Sequence, residues 1–188
     1  LKTSSRQVVY PLYADVSIYE SGGSFSNVHW VAFSAASDVV VFQSLVGVSS
    51  SAGVIKRTKS GSGWNAGAVS QRAMKSATDT VRGISAVCDR NDKYQMIGLN
   101  SKSTSSSYSD IDFAMYCAKG GTLYVYEKGS YKGKIGTYSA GATIQVVVND
   151  RGKVEYLRNG ELLKTSSRQV VYPLYADVSI RDSGGSFS

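Results

Sequence analysis

The sequence predicts an all-β protein built as an antiparallel β-sandwich or jelly roll. Short runs of β-branched and aromatic residues recur along the chain, and Gly, Ser, Asn and Asp separate them. Segments with the pattern of a helix are nearly absent. The first and last 26 residues are nearly identical, which indicates a repeating protein.

The fold class depends on the predicted strands. Each has alternating or continuous apolar character over a strand-like length. In chain order they are VHWVAF from Val28, DVVVFQ from Asp38, GISAVCD from Gly83, YQMIGL from Tyr94, DIDFAMYC from Asp110, TLYVYEKG from Thr122, ATIQVVVND from Ala142, KVEYLRNGELL from Lys153 and RQVVYPLYADVSI from Arg168.

Turn residues predict how some of these strands pair. Asn159-Gly160, between VEYLR and ELLKT, readily supplies the positive φ angles of a two-residue hairpin. Residues 150–152 form the turn that joins IQVVVN to KVEYL. Three consecutive strands should therefore form a meander. Pro11 and Pro173 lie within otherwise good strands, and proline has no N–H for a strand ladder, so we expect an edge strand or a bulge there.

The terminal duplication defines the domain organisation. Residues 163–188 repeat residues 1–26 at a period of 162, far too long for a solenoid unit, so each repeat is a whole domain. We therefore assign 1–26 to the terminal strand of a preceding repeat and 27–188 to one complete β-sandwich repeat. A natural tandem array and a deliberate duplication would give the same pattern. The copies differ only in Tyr19 against Arg181 and Glu20 against Asp182.

The net charge of +7 and pI of about 9.4 could indicate a nucleic-acid partner. Only Lys56, Arg57 and Lys59 cluster, however, and the other basic residues are scattered. We expect no nucleic-acid partner, and instead weak attraction to an anionic polysaccharide or a cell surface. No run approaches the roughly 18 apolar residues of a membrane span, so we expect no membrane insertion.

A family resemblance is carried by several motifs read in succession. They are WNAGA from Trp64, MIGLN from Met96, YSDIDFAMYC from Tyr108, LYVYEKGSYKGKIGTYSAGATIQVVV from Leu123, KVEYLRNGELL and YPLYADVSI. The succession resembles the concanavalin A-like sandwich superfamily, most of all the SPRY-like and lectin or glucanase-like modules that recur in large surface proteins. The resemblance implies a concanavalin A-like sandwich, a fold that carries lectins, glucanases and protein-binding modules alike.

The glucanase branch of that superfamily places carboxylates on alternate residues of one strand, and Asp110 and Asp112 are the closest match here. Alternate residues share a face of a strand, and glycoside hydrolysis needs two carboxylates. No glutamate accompanies the pair. An exposed polar edge or a pair of calcium ligands is therefore the preferred interpretation.

Aromatic side chains could stack on sugar rings. Trp64 follows SGSG and should begin a strand after a flexible turn, where it is either a structural anchor or a binding platform. Tyr108 is a second candidate, with Tyr131 and Tyr138 behind it.

The turn CDRNDKY suits a hard cation, since Asp89, Asn91 and Asp92 offer oxygen ligands. Concanavalin-like sandwiches often carry calcium, so the resemblance adds to this expectation. The same residues also suit a plain turn, because Asp and Asn side chains bond their own backbone.

Cys88 and Cys117 should both point inward, since each shares a strand face with apolar residues. They form either a disulfide, as is usual outside the cell, or two separate buried thiols. The sequence has only two cysteines and one histidine, His29, which argues against a zinc site.

The sequence therefore favours a non-enzymatic module. It has no Gly-x-Ser-x-Gly elbow, and His29 is its only histidine. We expect a structural or adhesive tandem-repeat module of an extracellular, cell-surface or filament protein, assembling with neighbouring repeats or copies of itself by head-to-tail strand exchange. A carbohydrate-binding lectin-like module is the first alternative and a glucanase-type glycoside hydrolase the second.

Overall fold

The computed structural model of the chain describes residues 39–102 and 104–188. This part contains strands and one 3₁₀ turn (Tyr108–Asp110), and it has no α-helix. It therefore contains no helix long and apolar enough to span a membrane. The strands are β1 (Phe42–Val46), β2 (Val48–Ser51), β3 (Val54–Arg57), β4 (Gly67–Met74), β5 (Gly83–Cys88), β6 (Gln95–Asn100), β7 (Phe113–Ala118), β8 (Thr122–Glu127), β9 (Ser130–Thr137), β10 (Ala142–Val148), β11 (Val154–Arg158), β12 (Glu161–Thr165), β13 (Leu174–Ile180) and β14 (Ser186–Phe187).

The strands form two seven-stranded antiparallel sheets. The first sheet has the order β1-β4-β13-β6-β7-β8-β9, and the second has the order β12-β11-β10-β5-β14-β3-β2. The predicted fold class, an antiparallel β-sandwich, is confirmed. Apolar side chains from the inner faces of both sheets form one core.

Alternation along the strands explains why these segments form a sandwich. Strand β10 buries every second side chain, as does β8, and the intervening residues are only partly covered. Successive side chains of a strand point to opposite faces, so an alternating sequence gives each strand one apolar face for the core.

The predicted meander is confirmed. Strands β10, β11 and β12 pair consecutively, and the turn between the last two has positive φ at both central residues, 50° at Asn159 and 80° at Gly160. Asparagine and glycine adopt this conformation at little cost, so the dipeptide specifies the hairpin.

The last 15 residues, 174–188, join the two halves of the described chain. Strand β13 lies between β4 and β6 in the first sheet, and β14 lies between β5 and β3 in the second. Every other strand pairing is confined to β1–β4 or to β5–β12. Without this segment, the first four described strands would have no ladder to the rest.

Three sequence-based expectations are corrected here. The strand that follows Pro173 is central and not at an edge; proline is tolerated because it precedes β13, whose first residue is Leu174. The register shift in β13 lies between Tyr175 and Asp177, beyond the proline. The segment 163–188 also supplies more than one closing strand, since it contains the end of β12 and all of β13 and β14.

Some predictions lie outside the described residues. They concern the structure of 1–26, the strand at Val28, and His29. The boundary at residue 27 therefore stays a prediction. Strands β2, β3, β4, β9 and β14 were not among the predicted segments.

One polar contact crosses the core between the sheets. The Tyr156 hydroxyl of β11 donates to Glu127 Oε1 of β8 at 3.1 Å, and both residues are buried. Burial, together with the Glu127 carboxylate, raises the pKa of Tyr156 well above its ordinary value. The phenol therefore stays a neutral donor and satisfies a buried carboxylate oxygen.

We expect Tyr156→Phe to lower the free energy of unfolding by about 2 kcal/mol, because it leaves the buried Glu127 carboxylate without its donor. Urea denaturation at neutral pH measures this. Tyr131→Phe is the matched control, since Tyr131 is 57% exposed and should change the free energy by less than about 0.5 kcal/mol. Equal losses in the two variants would contradict the role of the buried bond.

Candidate binding face

A contiguous set of aromatic rings, here called the tyrosine face, lies over strands β6–β9 of the first sheet. Each ring has a neighbour at a centroid separation between 5.0 and 6.0 Å, and the rings meet tilted or edge-on. Such geometries are the favoured ones for aromatic pairs. The members are Trp64, Tyr94, Tyr108, Tyr116, Tyr124, Tyr126 and Tyr131.

The strand register places these rings in two rows on the outer side of the sheet. Directly opposite residues of neighbouring strands share a face. One row runs through Met96, Tyr116, Tyr124 and Lys134. The next runs through Gly98, Ala114, Tyr126 and Tyr131.

A small buried cluster supports the undersides of the rings. Met96, Ile111 and Ala114 form it, and four rings pack against it. Gly98 permits the close strand approach beneath, since a Cβ there would lie 1.9 Å from the Phe113 carbonyl oxygen. The rings are thereby held in place with their outer sides accessible.

Two phenols of this face, those of Tyr116 and Tyr126, stay neutral. Burial raises the pKa of Tyr116 above its ordinary value, and the nearby Tyr94 and Tyr126 add to the shift. Burial likewise raises the pKa of Tyr126. The hydroxyls therefore remain hydrogen-bond donors and acceptors at physiological pH.

A cation lies at each end of the first row. The Arg181 guanidinium carbon lies 5.1 Å from the Tyr94 ring centroid, and that ring contacts Tyr116. At the other end Lys134, an exposed residue of β9, lies opposite Tyr124. The path of rings from Tyr94 to Tyr124 thus runs between two basic side chains, of which Arg181 is also ion-paired with Asp182 at 3.0 Å.

The loop that carries Trp64 is organised by a buried arginine. The Arg57 side chain is 2% exposed and donates to the Lys59, Gly63 and Ile180 carbonyls, with further bonds to Ser60 and Asn65. Burial lowers the pKa of Arg57, and Asp182 partly opposes this. The fork of five donors matches a loop rich in carbonyls.

The position of Arg57 changes the interpretation of the densest basic group. In the sequence Arg57 belongs to the densest basic group, with Lys56 and Lys59, but its side chain is buried. The prediction that Trp64 begins a strand is also corrected, because Trp64 precedes β4, which begins at Gly67. The Trp64 ring packs against Tyr108 and Tyr116. Trp64 and Tyr108, both predicted as ligand-binding residues, do lie together.

The predicted carboxylate pair does not lie on one strand. Asp110 ends the 3₁₀ turn and Asp112 precedes β7, which begins at Phe113. Asp110 accepts hydrogen bonds from the Thr104 amide and hydroxyl and from the Ser105 amide. Burial by itself raises the pKa of Asp110, but these bonds outweigh it and hold the pKa below its usual value.

Asp112 is buried, and so it is not part of an exposed polar edge. Its Oδ2 accepts from the Ser101 amide and hydroxyl. Its Oδ1 lies 3.4 Å from Lys128 Nζ and 3.6 Å from an Arg168 nitrogen. Both aspartates therefore hold the segment that carries Tyr108 against the sheet.

Asp89 and Asp92, two of the three residues proposed for calcium, form hydrogen bonds with different partners. The Asp89 carboxylate accepts from the Ser186 and Ser188 hydroxyls. Hydrogen bonds from Arg90 lower the pKa of Asp92 to about 2. The described residues contain no group of three or more His, Cys, Asp or Glu that could hold a metal ion. Calcium binding at Asp89, Asn91 and Asp92 stays a prediction.

Cys88 and Cys117 point into the core, as predicted, and both are free thiols. They lie on β5 and β7, which belong to different sheets, so they meet across the sandwich and not within one sheet. Burial raises the pKa of Cys117 well above its ordinary value, and its hydrogen bond with Cys88 adds to the rise. The structure therefore has the second of the two alternatives, a pair of buried thiols.

Most members of the tyrosine face were not singled out from the sequence. A signal for them was available, because Tyr124 and Tyr126 alternate with buried Leu123 and Val125 in one strand. The partner row on β7 required the strand register, which the sequence does not contain.

Comparison with known proteins identifies the fold. No family model matches the sequence, and no curated protein matches it either. A human SPRY domain structure is similar with a TM-score of 0.60 and 11% identity over 78% of this chain and 94% of that one. The PSpry domain of TRIM65 is similar with a TM-score of 0.55 and 11% identity over 79% and 87% of the two chains.

A third similar structure, the SPRY domain of human HERC1, has a TM-score of 0.51 and 17% identity over 72% of this chain and 86% of its own. The described residues thus have the β-sandwich fold of these SPRY domains, as the resemblance seen in the sequence implied. At these identities the likeness concerns the fold alone.

We expect Arg57→Met to lower the free energy of unfolding by about 3 kcal/mol, because it leaves several loop carbonyls without donors. Lys56→Met is the matched control, since Lys56 is the exposed neighbour in the same strand, and it should cost less than about 0.5 kcal/mol. Urea denaturation gives both values. An inert Arg57→Met would remove Arg57 as the organiser of the Trp64 loop.

The lowered pKa of Asp110 predicts a dependence of stability on pH. Its contribution is fully present above the ordinary value of 3.8 and is lost as the pH falls through the lower pKa of the folded state. Asp110→Asn should therefore flatten the fall of unfolding free energy in that acid range. Denaturation curves across the range test this, and an unchanged slope would contradict it.

Proposed function

We propose that this chain is a non-enzymatic adhesive module of an extracellular tandem-repeat protein, and that its tyrosine face binds an acidic polysaccharide. The observation that carries the proposal is the contiguous face of seven aromatic rings with a cation at each end of its first row. Contiguous apolar surface of this kind is typical of interaction sites.

The rings suit a carbohydrate because each offers an apolar surface beside a polar hydroxyl. A pyranose ring has the same mixture of C–H faces and hydroxyl edges. Tyr131, at the outer end of the second row, is 57% exposed, so a chain of sugars can reach the face from the open side of β9. Amphipathic rings gain from contact with such a ligand without losing their hydroxyl hydrogen bonds.

The charges favour an acidic ligand over a neutral one. Arg181 and Lys134 lie at opposite ends of the ring path, and the chain as a whole carries +7. Charge-assisted bonds to carboxylate or sulfate groups are stronger than neutral ones. A positive field also raises the local concentration of an anionic polymer.

Binding without hydrolysis is supported by the roles of the nearest candidate carboxylates. Asp110 and Asp112 accept hydrogen bonds from the backbone of residues 101–105. The bonds to Asp110 favour its ionised form and lower its pKa, whereas a general acid must be protonated. Their hydrogen bonds to residues 101–105 give both aspartates a structural role.

Repetition would convert weak contacts into firm adhesion. Linking several such faces raises the effective concentration of each for a polymeric ligand. The duplicated segment gives a means of linking, since residues 1–26 have the sequence that supplies β13 and β14 in residues 163–188. Head-to-tail strand exchange between neighbouring units is therefore part of this proposal.

The test is binding to polygalacturonate, an acidic polysaccharide, with dextran as the neutral probe. Tyr124→Ala should weaken binding to polygalacturonate at least tenfold, about 1.4 kcal/mol, because Tyr124 lies in the first row between Tyr116 and Lys134. The matched control is Tyr175→Ala, on the same sheet in β13 but without a ring contact among the described residues. Isothermal titration calorimetry measures the constants.

The outcomes separate the parts of the proposal. Binding that weakens with added salt and with Tyr124→Ala, but not with Tyr175→Ala, supports an acidic ligand on the tyrosine face. Equal binding of dextran contradicts the role of the cations, and equal loss in the two variants contradicts the location. No binding of either polysaccharide overturns the proposed ligand class.

A further inference from the structure

The fold has one slot for two copies of the same segment. The slot is the pair of gaps between β4 and β6 and between β5 and β3, which residues 174–188 fill in the structure. Residues 12–26 repeat that stretch with two substitutions. Each chain therefore offers two copies of the segment to the one slot formed by strands β3, β4, β5 and β6.

The side chains that anchor the segment are the same in both copies. The buried ones include Leu174, Val178, Ile180 and Phe187, each at most 1% exposed. Their counterparts in the first copy are Leu12, Val16, Ile18 and Phe25. The burial of apolar area that fixes the segment in the core is thus available to either copy.

The polar contacts are shared as well. Ser179 donates to the Ser106 carbonyl at 2.7 Å, and its counterpart is Ser17. The Ser186 carbonyl accepts from Gln95 Nε2 at 2.9 Å, a backbone contact that either copy can make. The strand ladders likewise depend on backbone groups and not on side-chain identity.

The two substituted positions border the tyrosine face. The Arg181 guanidinium lies over Tyr94, and the Asp182 carboxylate accepts from the Tyr94 amide at 3.0 Å. The first copy has Tyr19 and Glu20 there. The copies are therefore equivalent where they hold the fold and different where they meet the candidate ligand.

We infer that residues 12–26 of one chain fill the slot of a second chain, and that this exchange replaces the cation at the Tyr94 end of the tyrosine face by an aromatic side chain. Its first part, the exchange, stands on the fold and the duplication; its second part, the change in ligand binding, rests on the proposed function. A second copy of this chain is the partner, because it brings a segment that already fits. The exchange makes the ligand preference of the face depend on assembly.

The energetics favour a real equilibrium between the two occupants. Leaving and filling the slot break and re-form the same strand pairings, so the net change is small, as in domain swapping. The balance then depends on chain concentration and on the substituted pair. The exchanged form should increase with concentration, because it joins two molecules.

Cysteine trapping detects the occupant. Ser186 of β14 lies opposite Lys56 of β3, and directly opposite strand residues have Cα atoms within the range for a disulfide. Lys56→Cys with Ser186→Cys traps the last copy. Lys56→Cys with Ser24→Cys traps the first copy, because Ser24 is the counterpart of Ser186.

We expect both pairs to cross-link on mild oxidation of the folded full-length chain, with yields within about tenfold of each other. The Ser24 pair should give linked dimers and longer species on a non-reducing gel. The control is Lys56→Cys with Ser4→Cys, since the counterpart of Ser4 is Ser166, which is not opposite Lys56. A Ser24 yield no higher than the Ser4 yield overturns the exchange, and a purely intrachain link overturns its intermolecular form.

A second measurement separates this inference from the proposed function. The two trapped forms carry the same disulfide position and differ in the residues beside Tyr94. The form trapped through Ser24 should bind polygalacturonate about threefold or more weakly, because it lacks the Arg181 charge at the face. Equal affinities overturn the change in ligand preference. If neither form binds, the proposed function fails while the cross-linking result stands.

Discussion

The structure depends on one topological constraint, the insertion of residues 174–188 into the middle of both sheets. Strands β1–β4 pair with the rest of the described chain only through β13 and β14. The buried side chains Val178, Ile180 and Phe187 of this segment belong to the shared core. A central strand is satisfied on both edges, so the position of this segment closes the sandwich and also explains why a duplicate of it matters.

The tyrosine face follows from the same arrangement. Strand β13 brings β6 and its neighbours beside β4, and the Trp64 loop that precedes β4 thereby reaches the rings of Tyr108 and of Tyr116 in β7. Arg57 ties that loop to the Ile180 carbonyl at the end of β13. The candidate binding surface and the closure of the fold are therefore coupled through a few buried hydrogen bonds, whose loss costs more than that of exposed ones.

Charged side chains hold the segments that carry much of the candidate site in place. Asp110 and Asp112 fasten the segment before β7, and Arg57 fastens the Trp64 loop. The basic side chains beside the rings are Lys134, which is exposed opposite Tyr124, and Arg181, which is half-buried beside Tyr94 and ion-paired with Asp182. Burial separates these two groups, because a buried charge must find its partners inside the protein.

The sequence by itself determined the fold class, the meander with its Asn159-Gly160 hairpin, the inward direction of Cys88 and Cys117, and the near-identity of residues 1–26 and 163–188, because these follow from local periodicity, turn chemistry and self-similarity. Only the tertiary structure decided that the strand after Pro173 is central, that Asp112 is buried, that Arg57 faces inward, and that the tyrosines form one surface. Those outcomes depend on which strands become neighbours and in what register, and strand pairing joins residues far apart in the chain that carry no local mark of their partner.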